Sequence, residues 1–148
     1  VDANHAADKS TRKSQTGILM FLNKAPVMWH SKRQNGVEAS TFGSEFIALK
    51  NAFDLVVSLI YKLRMFGIPI EGATNMFCDN EAVYKNASTP ESVLHKKHHS
   101  IAYHYCRSLV AMCVGRLSKE DTRTNLADLF TKCLPASKMN ELLDYAMY

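Results

Sequence analysis

An α/β domain with a mixed sheet is the fold this sequence predicts, and three features of the chain predict it. Residues 17–33, GILMFLNKAPVMWHSKR, hold two apolar runs parted by Asn23 and Lys24, the pattern of an antiparallel hairpin. Across 41–66 the apolar residues Phe42, Phe46, Leu49, Phe53, Val56, Ile60 and Leu63 recur at alternating steps of four and three, which describes one long amphipathic helix. Beyond it, short apolar runs at 75–78 and 113–118 are separated by helical segments, and strands joined through helices are usually parallel.

The elements follow in order. The chain opens on Val1 and Asp2 rather than on Met, so it reads as a piece of a longer polypeptide whose first strand is largely cut away upstream of Asp2. In the hairpin the second strand runs over about 26–31, with Pro26 at its start, where a missing N–H does least harm. Ser40 or Thr41 caps the long helix, and Gly67 followed by Pro69 stops it. The run 75–78 is a buried strand ending on the polar pair Asp79-Asn80, and 81–86 is a short helix leading to the turn residues Ser88, Thr89 and Pro90. Segment 92–112 has mixed helical periodicity with a histidine-rich first half, 113–118 is a short strand, and 125–132 and 137–147 are closing helical pieces around Pro135. With no internal repeat and no linker, 1–148 is expected to be one domain.

Composition narrows the classes. At 148 residues with 47% hydrophobic and 22% charged residues, the chain is too apolar for intrinsic disorder and long enough for a single core. No apolar run approaches the ~20 residues that cross a bilayer, and no secretory signal opens the sequence, so an intracellular protein without membrane partners is expected. Cys78, Cys106, Cys113 and Cys133 form no C-x-x-C pair and are expected to be free, buried thiols. A zinc site drawn from His95, His98, His99, His104 and Cys106 would match no ordinary structural spacing. The net charge of +4 is concentrated in 1–33, where Lys9, Arg12, Lys13, Lys24, Lys32 and Arg33 face only Asp2 and Asp8. A second basic stretch, 85–107, adds four histidines. Two such segments point either to a polyanion, nucleic acid first, or to a plain solvated surface.

Four acids stand out by position: Asp2 at the first strand, Glu45 near the start of the long helix, Asp79 at the end of the short central strand and Asp128 in the late helix. Open α/β sheets build their sites at strand ends. Glu45 borders the buried stripe of its helix, an expensive place for a charge unless a cation meets it. Acids gathered without lysine or arginine are held by divalent ions, and hard oxygen ligands favour magnesium or manganese. Taken singly, Asp79 with Asn80 could cap a helix, Asp128 could face a helix dipole and Glu45 could be a rim residue.

Five blocks in order, DANHAADKSTRKSQTG (2–17), VMWHSKRQNGVEASTFGSEFIALKNA (27–52), CDNEAVYKNA (78–87), KKHHSIAYHYCR (96–107) and NLADLFTK (125–132), closely resemble the ribonuclease H domain of copia-type LTR retrotransposon Pol polyproteins. The resemblance implies a ribonuclease H-like α/β fold, a mixed five-stranded sheet flanked by helices, here with the first strand largely truncated. It implies four metal-binding catalytic carboxylates, matching Asp2, Glu45, Asp79 and Asp128, with two Mg2+ ions as cofactor and Mn2+ as the alternative. The implied reaction is hydrolysis of the RNA strand of an RNA/DNA hybrid during reverse transcription. The implied partners are that hybrid and a reverse transcriptase domain of the same polyprotein, in the cytoplasm, within a virus-like particle, or in the nucleus. Arg12, Lys13, Ser14, Lys32 and Arg33 are candidate phosphate contacts, with Asn80 beside Asp79 and with His98 and His99. The histidines, His104 included, could instead pack the helix. Trp29 offers its ring to the core, the favoured alternative, or to a base. Three departures stand out: Asn4 replaces a second aspartate, Ser118 and Lys119 occupy the region of a loop histidine whose loss would slow product release, and the first strand is cut. A second expectation is therefore an inactive remnant that binds nucleic acid or packs on the reverse transcriptase.

Overall fold

The computed structural model describes residues 1–94 and 99–147. Strand β1 (Asp2–Asn4) pairs antiparallel with β2 (Gln15–Leu22), which pairs antiparallel with β3 (Ala25–Arg33). Helix α1 (Thr41–Met65) follows, then β4 (Thr74–Cys78), α2 (Glu81–Ser88), α3 (Ser100–Ala111), β5 (Gly115–Lys119), a 3-10 turn (Leu126–Phe130) and α4 (Ala136–Met147). β4 and β5 are parallel, joined through α2 and α3, so the protein is a mixed α/β structure as the spacing of strands and helices predicts.

Among the described residues the five strands form two hydrogen-bonded sheets, ordered β1-β2-β3 and β4-β5, rather than the single sheet expected. β1 spans three residues, all paired to β2, and a bond from the Val1 nitrogen to the Phe77 carbonyl, at 2.8 Å, runs between the two sheets.

Helix α1 organises the core. Ser40 caps it by accepting from the Gly43 N–H, and at its far end Gly67, at φ +73°, turns the chain so that the Ile68 N–H reaches the Leu63 carbonyl. Its stripe of Phe46, Leu49, Phe53 and Val56 is buried against Ile18 and Met20 of β2, Met76 of β4, Leu117 of β5 and Tyr103, Cys106 and Leu109 of α3. On the other face of the three-stranded sheet the 3-10 turn closes onto Gly17, where a Cβ would stand 2.6 Å from Thr131 Cγ2 and 2.7 Å from the Ala127 carbonyl.

Several expectations change. β5 starts at Gly115, not at Cys113, because Cys113 adopts φ +56° in the turn that ends α3. Cys78 and Cys106 are buried, but Cys113 and Cys133 are exposed. Trp29 is 67% exposed rather than packed in the core. It lies on β3, an edge strand, where Val27, Trp29 and Ser31 are exposed while their neighbours Pro26, Met28 and His30 are half-buried. No helix among the described residues is long and apolar enough to cross a membrane.

Candidate metal centre

β1 and α1 deliver two of the acids, and the end of β4 delivers the third. Asp2 begins β1 opposite Gly17 and is almost wholly buried. Glu45 lies just after the first turn of α1, which the Ser40 cap aims toward β1, and its carboxylate accepts from the Ala3 N–H. Asp79 follows the last residue of β4 directly, held there because Asn80 begins α2 by accepting from the N–H groups of Ala82 (3.1 Å) and Val83 (3.2 Å). One carboxylate oxygen from each of Asp2, Glu45 and Asp79 lies within 4.8 Å of the others.

Three acids so close cannot all ionise at ordinary cost. Burial, followed by the charges of Asp2 and Asp79, pushes the Glu45 carboxyl up to about 8. The donors are the hard carboxylate oxygens that magnesium and manganese take. These three residues fit a divalent ion.

Asp128 stands beside the trio without joining it at that distance. Asn125 caps the 3-10 turn by accepting from the Ala127 N–H, which leaves Asp128 buried and directed at Lys132. Burial raises the Asp128 carboxyl, the Lys132 hydrogen bond opposes this, and the charges of Asp2 and Asp79 add to the rise. Lys132 Nζ reaches Asp128 Oδ1 at 2.7 Å and Asp2 Oδ1 at 3.5 Å, while Thr131 Oγ1 donates to Asp2 Oδ2. Neither Thr131 nor Lys132 was singled out from the sequence. The four-residue spacing of Asp128 and Lys132 in NLADLFTK was the available signal. Asn4 also belongs to this corner, since its amide donates to the Thr131 carbonyl at 3.0 Å, a bond an ionised aspartate could not make.

The expected substrate contacts divide. Arg12 is exposed and Lys13 half-exposed, on a β1–β2 loop folded around Asp8. The Asp8 carboxylate accepts from the backbone and hydroxyl of both Ser10 and Thr11 and from Arg33 Nη1, and these bonds hold its carboxyl well below the usual range. Ser14 is corrected to a structural residue: it is fully buried, and its hydroxyl accepts from the Ala6 N–H. Lys32 is exposed and lines a groove of about 440 Å3 with Gln34, Asn35 and Asn51. Asn80 Oδ1 is engaged as the α2 cap. His99 is buried beside Phe42, its Nδ1 3.4 Å from Glu38 Oε2, and it packs onto Gly43 at the start of α1. His98 lies outside the described residues, as does His95 of the zinc alternative.

An α/β domain that gathers two carboxylates from strand ends and one from a helix, with a fourth beside them, defines a candidate metal-binding domain. The relatives specify it further. The chain is 30% identical over 133 residues, 90% of its length, to the "Retrovirus-related Pol polyprotein from transposon RE1" of Arabidopsis thaliana. It is 29% identical over 137 residues, 93% of its length, to the "Retrovirus-related Pol polyprotein from transposon TNT 1-94" of Nicotiana tabacum. A shorter match, 38% over 63 residues, covers 43% of this chain and 44% of the "Secreted RxLR effector protein 161" of Plasmopara viticola. No family model and no solved structure matches. The chain belongs to the retrovirus-related Pol polyproteins of transposons, as a Pol-derived domain. It spans about a tenth of the length of those polyproteins, 9% of the first and 10% of the second.

Proposed function

We propose that this Pol-derived domain is a ribonuclease H, a metal-dependent endonuclease that hydrolyses the RNA strand of an RNA/DNA hybrid. The observation that carries the proposal is the convergence of Asp2, Glu45 and Asp79 within 4.8 Å, with Asp128 adjoining, in the order along the chain that the resemblance implies. The order β3-β2-β1 beside β4-β5, touching at Val1 and Phe77, is consistent with the five-stranded arrangement of that fold.

Asp2, Glu45 and Asp79 would hold the ions, with Asp128 contributing from its side. Two magnesium ions, when bound, supply an activated water and neutralise charge at the scissile phosphate. The chain's own part is placement. β1, β4 and α1 fix three carboxylates from rigid elements, and Thr131 and Asn4 pin the turn that carries Asp128. An open groove of about 700 Å3 is lined in part by Asp8, Gln15, Ser31, Arg33, Thr131 and Lys132, and its two cations, Arg33 and Lys132, offer contacts to a nucleic-acid strand beside the residues that hold Asp2 and Asp128.

The experiment is cleavage of a labelled RNA/DNA hybrid with and without magnesium. Magnesium-dependent cutting of the RNA strand is expected, falling more than about a hundredfold in Asp79→Asn and Glu45→Gln, which remove ligands yet keep the side-chain shape. Cutting by both variants at the wild-type rate, or no cutting by the folded chain joined to its upstream polyprotein segment, rejects the proposal.

A further inference from the structure

Both oxygens of Asp2 are engaged by two consecutive residues. Thr131 Oγ1 donates to Oδ2, and Lys132 Nζ lies 3.5 Å from Oδ1 while holding Asp128 at 2.7 Å. Lys132 is thus an ammonium set between two carboxylates of the candidate centre, and Asp2 shares a donor set with Glu45 and Asp79. A lysine side chain is a cation at neutral pH, and here its head lies against two carboxylates. The side chain is 32% exposed and borders the open groove, and a lysine's flexible stem lets its head move without moving the backbone.

We propose that Lys132 is a built-in counter-cation of the acidic centre, holding Asp2 and Asp128 together while no divalent ion is bound and yielding them toward the groove when one binds. It is a positioning residue, and it tunes how tightly the centre takes a cation. The inference rests on the reading of these acids as a metal centre. A divalent ion at Asp2 competes with the ammonium for Oδ1, and like charges within ~4–6 Å oppose one another. A lysine that only braced the turn would make a different prediction, since its removal would loosen Asp128 and weaken cation binding.

The test is calorimetric titration with calcium, which reads binding without turnover, on the full chain and on Lys132→Met and Lys132→Arg, with melting temperatures in a chelator. Lys132→Met is expected to bind calcium about tenfold tighter and to melt lower without cation, as loss of an internal counter-charge requires. Lys132→Arg, which keeps the charge, is expected to restore both values. Unchanged or weaker binding in Lys132→Met overturns the inference, as does an absence of calcium binding by the wild type. Hybrid cleavage in magnesium, measured alongside, separates the two readings. A lysine effect on affinity without cleavage supports the counter-cation and rejects the ribonuclease, whereas cleavage with no lysine effect does the reverse.

Discussion

Glu45 is buried at the edge of an apolar stripe, and burial with the charges of Asp2 and Asp79 pushes its carboxyl up from the usual 4.5 to about 8. The sign of the consequence is fixed by linkage. Between those two values the folded chain holds a proton that the unfolded chain releases, so this contribution is intact at low pH and is lost as pH rises toward 8. Melting in a chelator should therefore show stability falling from pH 5 to pH 8 by about several degrees in Tm. Glu45→Gln should flatten most of that slope. Burial also raises the Asp128 carboxyl, against the hydrogen bond from Lys132. Added magnesium should oppose the trend, because an ion binds the ionised carboxylates and its affinity rises as they lose their protons. A stability that climbs through this range in the chelated wild type would refute the assignment of Glu45 as a protonated member of the cluster.

Elements carry these side chains, and the 3-10 turn carries the acid that adjoins the trio. It rests on Gly17, where an added methyl would collide with Thr131 Cγ2 and with the Ala127 carbonyl, which is backbone and cannot turn aside. Gly17→Ala should cost about 1–3 kcal/mol by overpacking and weaken cation binding together, since Thr131 and Asp128 move with the turn. Gly36→Ala, whose Cβ would meet only Glu38 Oε1 at 4.0 Å, serves as the control and should change neither. Equal effects of the two substitutions in thermal melts and calcium titrations would show that the contact at Gly17 does not matter. How far each element could be read from the chain follows from the kind of force that shapes it. Helix α1 was legible because burial alternates along it at helical spacing and both of its ends carry local signals, Ser40 and Gly67. The start of β5 was not, because Cys113 takes a left-handed turn that its residue type does not announce. Trp29 was misplaced because a period-2 pattern cannot tell the covered face of an edge strand from the open one. The four acids were visible only jointly and through the resemblance. The Lys132 bridge depends on where a 3-10 turn meets β1, a contact between residues 130 apart.

For the whole molecule the question is how a chain with a net charge of only +4 would hold a polyanion. The charge is not spread evenly. Asp8 engages its carboxylate with Ser10, Thr11 and Arg33, and in doing so it shapes a loop that exposes Arg12, at φ +58°, and half-exposes Lys13, beside a groove that Asp8 itself lines. An ordered loop loses less entropy when its cations meet phosphates than a disordered one would. Hybrid binding by the Asp79→Asn variant, measured without turnover, should weaken as salt rises, because each neutralised phosphate releases counterions. Replacing Arg12 and Lys13 together with alanine should lower the slope of log affinity against log salt by about 0.9 for each lost contact, nearly two in all. Trp29→Ala should leave that slope unchanged and lower affinity at every salt concentration by about 1–3 kcal/mol if its exposed ring stacks on a base. A slope that is the same with and without Arg12 and Lys13 would place the nucleic acid elsewhere on the surface and leave the Asp8 loop as structure alone.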